Sequence, residues 1–205
     1  KINSGASTQH VEWLAQNVGR GSTVTVDGAV FGLEAAKNLT AALEEAGVQL
    51  RTDMDLISGA WPERPGLPNA PVYEHCAPYA SAPRAEKFVQ LRTTMARFGA
   101  QWHWLSTLDD IAWLFNLRGA DVSYNPVFLA HALIGMDRAT LFVGAGKIDA
   151  ALTARLKLDG IEVADYAQAL PALAGLPPGS RILIDPRRIT LGTANAIAKG
   201  IERVE

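Results

Sequence analysis

Six prolines fall within residues 61–83: Pro62, Pro65, Pro68, Pro71, Pro78 and Pro83. Each fixes φ at about −65°, removes a backbone donor and biases the residue before it away from helix. Neither a regular helix nor an interior strand tolerates that density. The segment is expected to be a semi-rigid extended strap, with one folded part on each side of it. The reading that follows is residues 1–60 as the C-terminal part of a first domain, 61–83 as a proline-rich linker, and 84–205 as a second domain.

The first part alternates helix and strand. Ser7 or Thr8 can cap a helix over residues 7–18, whose Val11, Leu14 and Val18 form one apolar stripe. Residues 23–26 alternate like a strand and stop at the turn pair Asp27-Gly28. Leu33, Ala36, Leu39, Leu43 and Ala46 share one face of a second helix, with Gly47 to end it and a strand beginning at Val48. This order predicts a parallel sheet with crossover helices. Two strands are too few to stand alone, so a segment before Lys1 is expected to complete the sheet.

The second part reads as a mixed α/β sheet flanked by helices. Helices are expected over residues 84–98, 109–115, 149–158, 167–174 and 190–199. Strands are expected over 102–106, 127–134, 140–143, 161–163 and 181–184, with 127–134 and 140–143 as an antiparallel pair.

Residues 108–126 form its centre. Ile111, Leu114 and Phe115 follow helical spacing and should anchor the polar turn behind them to a core. Asn116, Arg118, Asp121 and Asn125 would then be held at the rim. Two readings of that turn stand together. In one, Arg118 pairs with Asp121, Gly119 supplies a tight backbone and Asn125-Pro126 launches the next strand. In the other, Arg118, Asp121 and Asn125 wall a substrate pocket. There Arg118 offers a charge-assisted contact to a carbonyl or carboxylate, while Asp121 orients it or meets an amine.

Elsewhere the chemistry is sparse. The four histidines, His10, His75, His103 and His131, lack metal-ligand spacing, and there is no H-E-x-x-H. Asp109 and Asp110 are adjacent on a helix and diverge by about 100°, so they read as first-turn carboxylates favoured by the helix dipole. Cys76 adjoins His75, but neighbours on extended chain point apart. Gly144-Ala145-Gly146-Lys147 lacks the earlier glycine and the following Ser or Thr of a phosphate loop, and reads as a hairpin turn. Arg187-Arg188 is too small for a nucleic-acid patch, and the tryptophans interleave with apolar residues rather than basic ones. Asn38-Leu39-Thr40 is a sequon inside a helix. A net charge of −2 leaves no footprint for nucleic acid or an anionic membrane. The single cysteine fits a reducing, cytoplasmic compartment.

The run IAWLFNLRGADVSYNPVF, residues 111–128, resembles the second domain of the three-domain Xaa-Pro aminopeptidases (aminopeptidase P) of the creatinase/prolidase superfamily. Asp27-Gly28, Asp55-Leu56-Ile57, the Trp61-to-Pro65 run and the Glu86-Lys87 helix start agree with it. The resemblance implies the ribonuclease-H-like layout of creatinase N-terminal domains, preceded by a partial copy of a similar domain. It further implies a parent enzyme that removes an N-terminal residue preceding proline. Two divalent metal ions, manganese by family habit, would be held in a C-terminal pita-bread domain to which nothing here corresponds. This chain would then hold no cofactor and no catalytic residue. Its partners would be that C-terminal domain on the same polypeptide, peptides with proline at the second position, and a second copy in a homodimer. The competing reading is a stand-alone binding or assembly module of the same fold without peptidase activity.

Overall fold

Apolar residues three and four positions apart decide the first large helix. α2 (Leu33–Glu45) buries Leu33, Ala36, Leu39 and Leu43, and Gly47 ends the segment at φ +70°, where a side chain would be strained. The computed structural model describes residues 7–205. Residues 1–64 with Ile189–Ala194 make one unit, and Pro65–Arg188 with Asn195–Glu205 make another.

In the first unit, α1 (Gln9–Asn17), β1 (Thr23–Thr25), α2 and β2 (Gln49–Arg51) follow in the expected order. β1 and β2 pair in parallel, Val24 opposite Leu50. Leu39, Leu43 and Val48 form the small core, with Val11, Leu14 and Val18 packed against it. Burying three leucines at 0–5% exposure is worth roughly 1.5–3 kcal/mol each as an upper bound. A short helix, α3 (Ile57–Ala60), was not anticipated from periodicity. Asp55 starts it by accepting from the Ile57 and Ser58 amides, both at 2.9 Å.

The second unit is built on a six-stranded mixed sheet. Its strands are β4 (Trp102–Leu105), β6 (Ala130–Gly135), β7 (Ala139–Val143), β8 (Ile161–Asp165), β9 (Arg181–Leu183) and β10 (Glu202–Val204), in the order β10-β9-β4-β6-β7-β8. A separate two-stranded ribbon joins β3 (Tyr73–Glu74) to β5 (Leu117–Arg118). The unit's helices are α4 (Arg84–Arg97), α5 (Leu108–Leu114), α6 (Ala150–Leu158) and α7 (Ala169–Ala174), whereas most of α8 (Leu191–Ala196) belongs to the first unit. β6 and β7 form the expected antiparallel pair, Ala132 opposite Leu141, and both are almost wholly buried. The mixed sheet with flanking helices is the fold class expected from the alternation.

Three details differ from the expectations. Strand β6 starts at Ala130 rather than Val127, because the backbone of residues 127–129 is engaged by the preceding turn. The Asp121 amide donates to the Val127 carbonyl, and the Leu129 amide donates to the Asp121 carboxylate. The strap, from residue 65 on, is no free spacer. Val72 is in the core, its amide donates to the Lys147 carbonyl at 2.8 Å, and Tyr73–Glu74 pairs with β5. Pro62, Pro65, Pro68 and Pro71 are three apart, and the ladder forms in the proline-free gap between Pro71 and Pro78. The last helix covers only Leu191–Ala196, and Ile189–Ala194 belongs with the first unit: the Leu33 amide donates to Ile189 and the Leu191 amide to Phe31.

Candidate functional site

α5 is a two-turn helix with one apolar side. Ile111, Ala112 and Leu114 are buried, and Phe115 meets Phe88 of α4 edge to face at 5.2 Å. That contact pins the turn that follows, as the sequence pattern requires. Asn116 then reverses the chain at φ +50°, a conformation asparagine tolerates better than most residues. Its side chain is spent on structure. Nδ2 donates to the Ala82 carbonyl at 2.9 Å, and Oδ1 accepts from Lys87 Nζ at 2.5 Å.

Lys87 is the first group that sequence reasoning passed over. It is 6% exposed and donates also to the Trp113 carbonyl at 2.7 Å. Its Nζ stands 4.4 Å above the Trp113 ring. Burial pushes its pKa down, and the neighbouring Arg118 pushes the same way. Arg118 is half-buried. Its Nη1 donates to the Ala112 and Leu117 carbonyls at 2.7 and 2.8 Å, capping the C-terminal end of α5.

Asp121 does not pair with Arg118. Its side chain is fully buried, and Oδ2 accepts from Lys147 Nζ and from the Leu129 amide at 2.7 Å. Lys147 is buried as well and donates to the Pro68 carbonyl at 3.2 Å. Gly144-Ala145-Gly146-Lys147 therefore links β7 to α6 and is no hairpin; its lysine is a latch between the polar turn and the strap. A basic residue in a glycine-rich connection was the available signal, but its acidic partner lies 26 positions earlier. Gly119 permits the close approach expected of it, since a Cβ there would sit 2.7 Å from Cβ of Phe128. Asn125 is exposed, and only its backbone is used, accepting from the Val127 amide at 2.8 Å. Arg118, Asp121 and Asn125 thus face three different surroundings.

A cavity of about 420 Å³ opens beside Asn116, lined by Glu74, His75, Cys76, Arg84 and Asp159 among others. His75 and Cys76 both border it, and no hydrogen bond joins them among the described residues. Its charged groups pair with one another: Arg84 reaches Glu74 at 2.6 Å and Asp159 at 3.1 Å, and Arg155 reaches Glu74 at 2.9 Å, while Arg84 Nη1 stays buried without a hydrogen-bond partner. No base faces a nucleophile. Among the described residues, no three His, Cys, Asp or Glu side chains converge as metal ligands. The donor set therefore does not fit a di-metal centre. No helix among them is long and apolar enough to cross a membrane.

His131 lies on β6 between Trp104 and Tyr166, with ring centroids at 5.1 and 4.9 Å, and Nδ1 is 3.1 Å from Ser106 Oγ. Desolvation in this stack lowers its pKa to about 4. It reads as a satisfied core histidine.

What the sheet and the flanking helices define is a mixed α/β domain. Residues 63–205 match the Creatinase/Prolidase N-terminal domain, and the chain belongs to that family. It is similar to Aminopeptidase P2 of Arabidopsis thaliana, 30% identical over 205 residues, covering 98% of this chain and 29% of that protein. It is also similar to the Probable Xaa-Pro aminopeptidase P of Metarhizium acridum, 36% identical over 163 residues, covering 78% of this chain and 26% of that protein. Among solved structures, the X-prolyl aminopeptidase of Caenorhabditis elegans, described as a cytosolic enzyme with a di-nuclear active site, superposes with a TM-score of 0.88. It is 21% identical and covers 99% of this chain and 34% of that one. The chain thus spans under a third of the length of the curated relatives quoted.

Proposed function

We propose that this chain is a non-catalytic N-terminal region of a metal-dependent Xaa-Pro aminopeptidase, whose whole polypeptide removes the N-terminal residue preceding proline. The observation that carries this reading is family membership over residues 63–205, joined to relatives named as Xaa-Pro aminopeptidases of which the chain spans under a third. In this reading residues 1–60 belong to a first domain, 61–83 are the linker and 84–205 form a second domain. Two divalent metal ions, manganese, are held by a C-terminal domain of the same polypeptide and supply the hydrolytic chemistry there. The region shapes the substrate cleft and supports a homodimer in the cytoplasm.

Within the polar turn the roles divide. Arg118 is the group free to face a cleft, because Nε and Nη2 have no partner among the described residues. Asp121 is a positioning residue that fixes the turn through Lys147. Asn125 lies at the exposed end. The test has two parts. The native reading frame is expected to continue past Glu205 into a domain carrying the metal ligands; a frame that stops there refutes the reading in favour of a stand-alone module. In the full-length enzyme, Arg118→Ala is expected to lower kcat/KM for an Xaa-Pro peptide several-fold at unchanged Tm. Unchanged kinetics would remove Arg118 from the cleft.

A further inference from the structure

Two cations meet around the C-terminal end of α5 with no carboxylate to answer them. Lys87 and Arg118 donate only to carbonyl oxygens and to the Asn116 amide oxygen. Among the described residues neither has an acidic partner within ion-pair distance. The nearest acid in the ribbon is directed elsewhere. Tyr73 stands opposite Arg118 and Glu74 opposite Leu117 in the β3–β5 register, so alternation sends Glu74 to the other face. There Arg84 and Arg155 take it, at 2.6 and 2.9 Å. Tyr73, on the Arg118 side, is 53% exposed, and Trp113, under Lys87, is 55% exposed. Beside Trp113 lies a hollow of about 350 Å³ lined by Lys87, Leu91, His103, Asp110 and Leu114 among others. Asp110 is its one acidic group, and it makes no ion pair with Lys87.

We propose that Tyr73, Trp113 and Arg118, with Lys87 behind them, form a docking surface for an acidic segment of another polypeptide surface. An Asp or Glu of that segment sits on the free Nε and Nη2 edge of Arg118, and a neighbouring apolar side chain enters the hollow beside Trp113. Charge selects this occupant. A guanidinium whose Nη1 is fixed by two carbonyls presents its other edge at little further loss of side-chain freedom, and carboxylate is the anion that matches that fork. Exposed Trp, Tyr and Arg together are the composition of an interface centre. The inference needs only these side chains and stands whether or not the parent polypeptide is a peptidase.

The test uses two capped peptides, acetyl-Glu-Leu-Glu-amide and acetyl-Gln-Leu-Gln-amide, titrated into the 15N-labelled chain. The acidic peptide is expected to shift the Trp113 indole and Arg118 Nε–H resonances with millimolar affinity. That affinity should weaken at least threefold in 0.5 M NaCl and exceed that of the glutamine peptide at least fivefold. Arg118→Gln is expected to abolish the preference for the acidic peptide, whereas Arg97→Gln, on exposed helix surface, keeps it. Should Arg118→Gln lose its native spectrum, Tyr73→Ser provides the second variant and is expected to weaken binding of the acidic peptide. Equal response to both peptides, shifts that map away from Trp113 and Arg118, or a preference that survives both variants would overturn the proposal.

Discussion

Replacing Lys147 with Met leaves the Asp121 carboxylate buried without its cation, and this is the substitution the structure makes most costly. Both side chains are at most 1% exposed. Asp121 would keep only the Leu129 amide, and the Pro68 carbonyl would lose its donor. Breaking one half of a buried pair costs about 3–5 kcal/mol, and an orphaned carbonyl adds about 1 kcal/mol. Removing both charges leaves no buried ion, so Asp121→Leu with Lys147→Met should cost clearly less than the two single losses together. A coupling of about 2 kcal/mol is the expected value. Two units in one chain can unfold separately, so the signal must come from one of them. Trp13 and Trp61 are exposed by 61% and 52% and belong to the first unit. Changing both to Phe leaves Trp102, Trp104 and Trp113, all in the second. Urea melts followed by fluorescence in that background then report the second unit alone. A Lys147→Met variant within 1 kcal/mol of its parent, or a double variant as unstable as the simple sum, would refute the latch.

Acid should loosen the second unit through His131. Its pKa falls from 6.5 to about 4 on burial, so between those values the unfolded chain binds a proton that the folded chain refuses. The stabilisation is complete above pH 6.5 and is lost as pH drops towards 4, by up to about 3 kcal/mol at about 1.4 kcal/mol per pH unit. His131→Phe should flatten most of that slope in Tm against pH. Half-buried His103, its pKa also lowered by desolvation, leaves a slope of the same sign. Asn116→Ala loses two side-chain hydrogen bonds and places Ala at φ +50°, so urea melts should show a loss of about 2–3 kcal/mol, and Asn116→Gly a smaller one. Tyr124 is fully exposed at φ +62°; Tyr124→Asn should raise the urea midpoint by an amount worth about 0.5–1 kcal/mol.

Most of what could be read in one dimension came out as expected. Helices α2 and α4, the β6–β7 pair and the anchoring of the polar turn by Ile111, Leu114 and Phe115 all rest on spacing between residues at most a few positions apart. The long run at residues 111–128 was enough to place the chain in its family. What the spacing could not reach were pairings across distance. Lys147 finds Asp121 across 26 positions, Lys87 finds Asn116 across 29, and Arg84 finds Asp159 across 75. Each of these charged side chains reads locally as solvated helix or loop, because lysine and arginine are seldom buried. They are buried in a fold whose strap bonds to the second unit through the Val72 and His75 amides and the Tyr73–Glu74 ladder. Local hydrophobic periodicity determined the elements and the rigid bend at Asn116. Only the tertiary fold decided which polar groups that bend would use internally and which, Arg118 chief among them, it would leave facing outward, because desolvation and ion pairing depend on neighbours that no local pattern names.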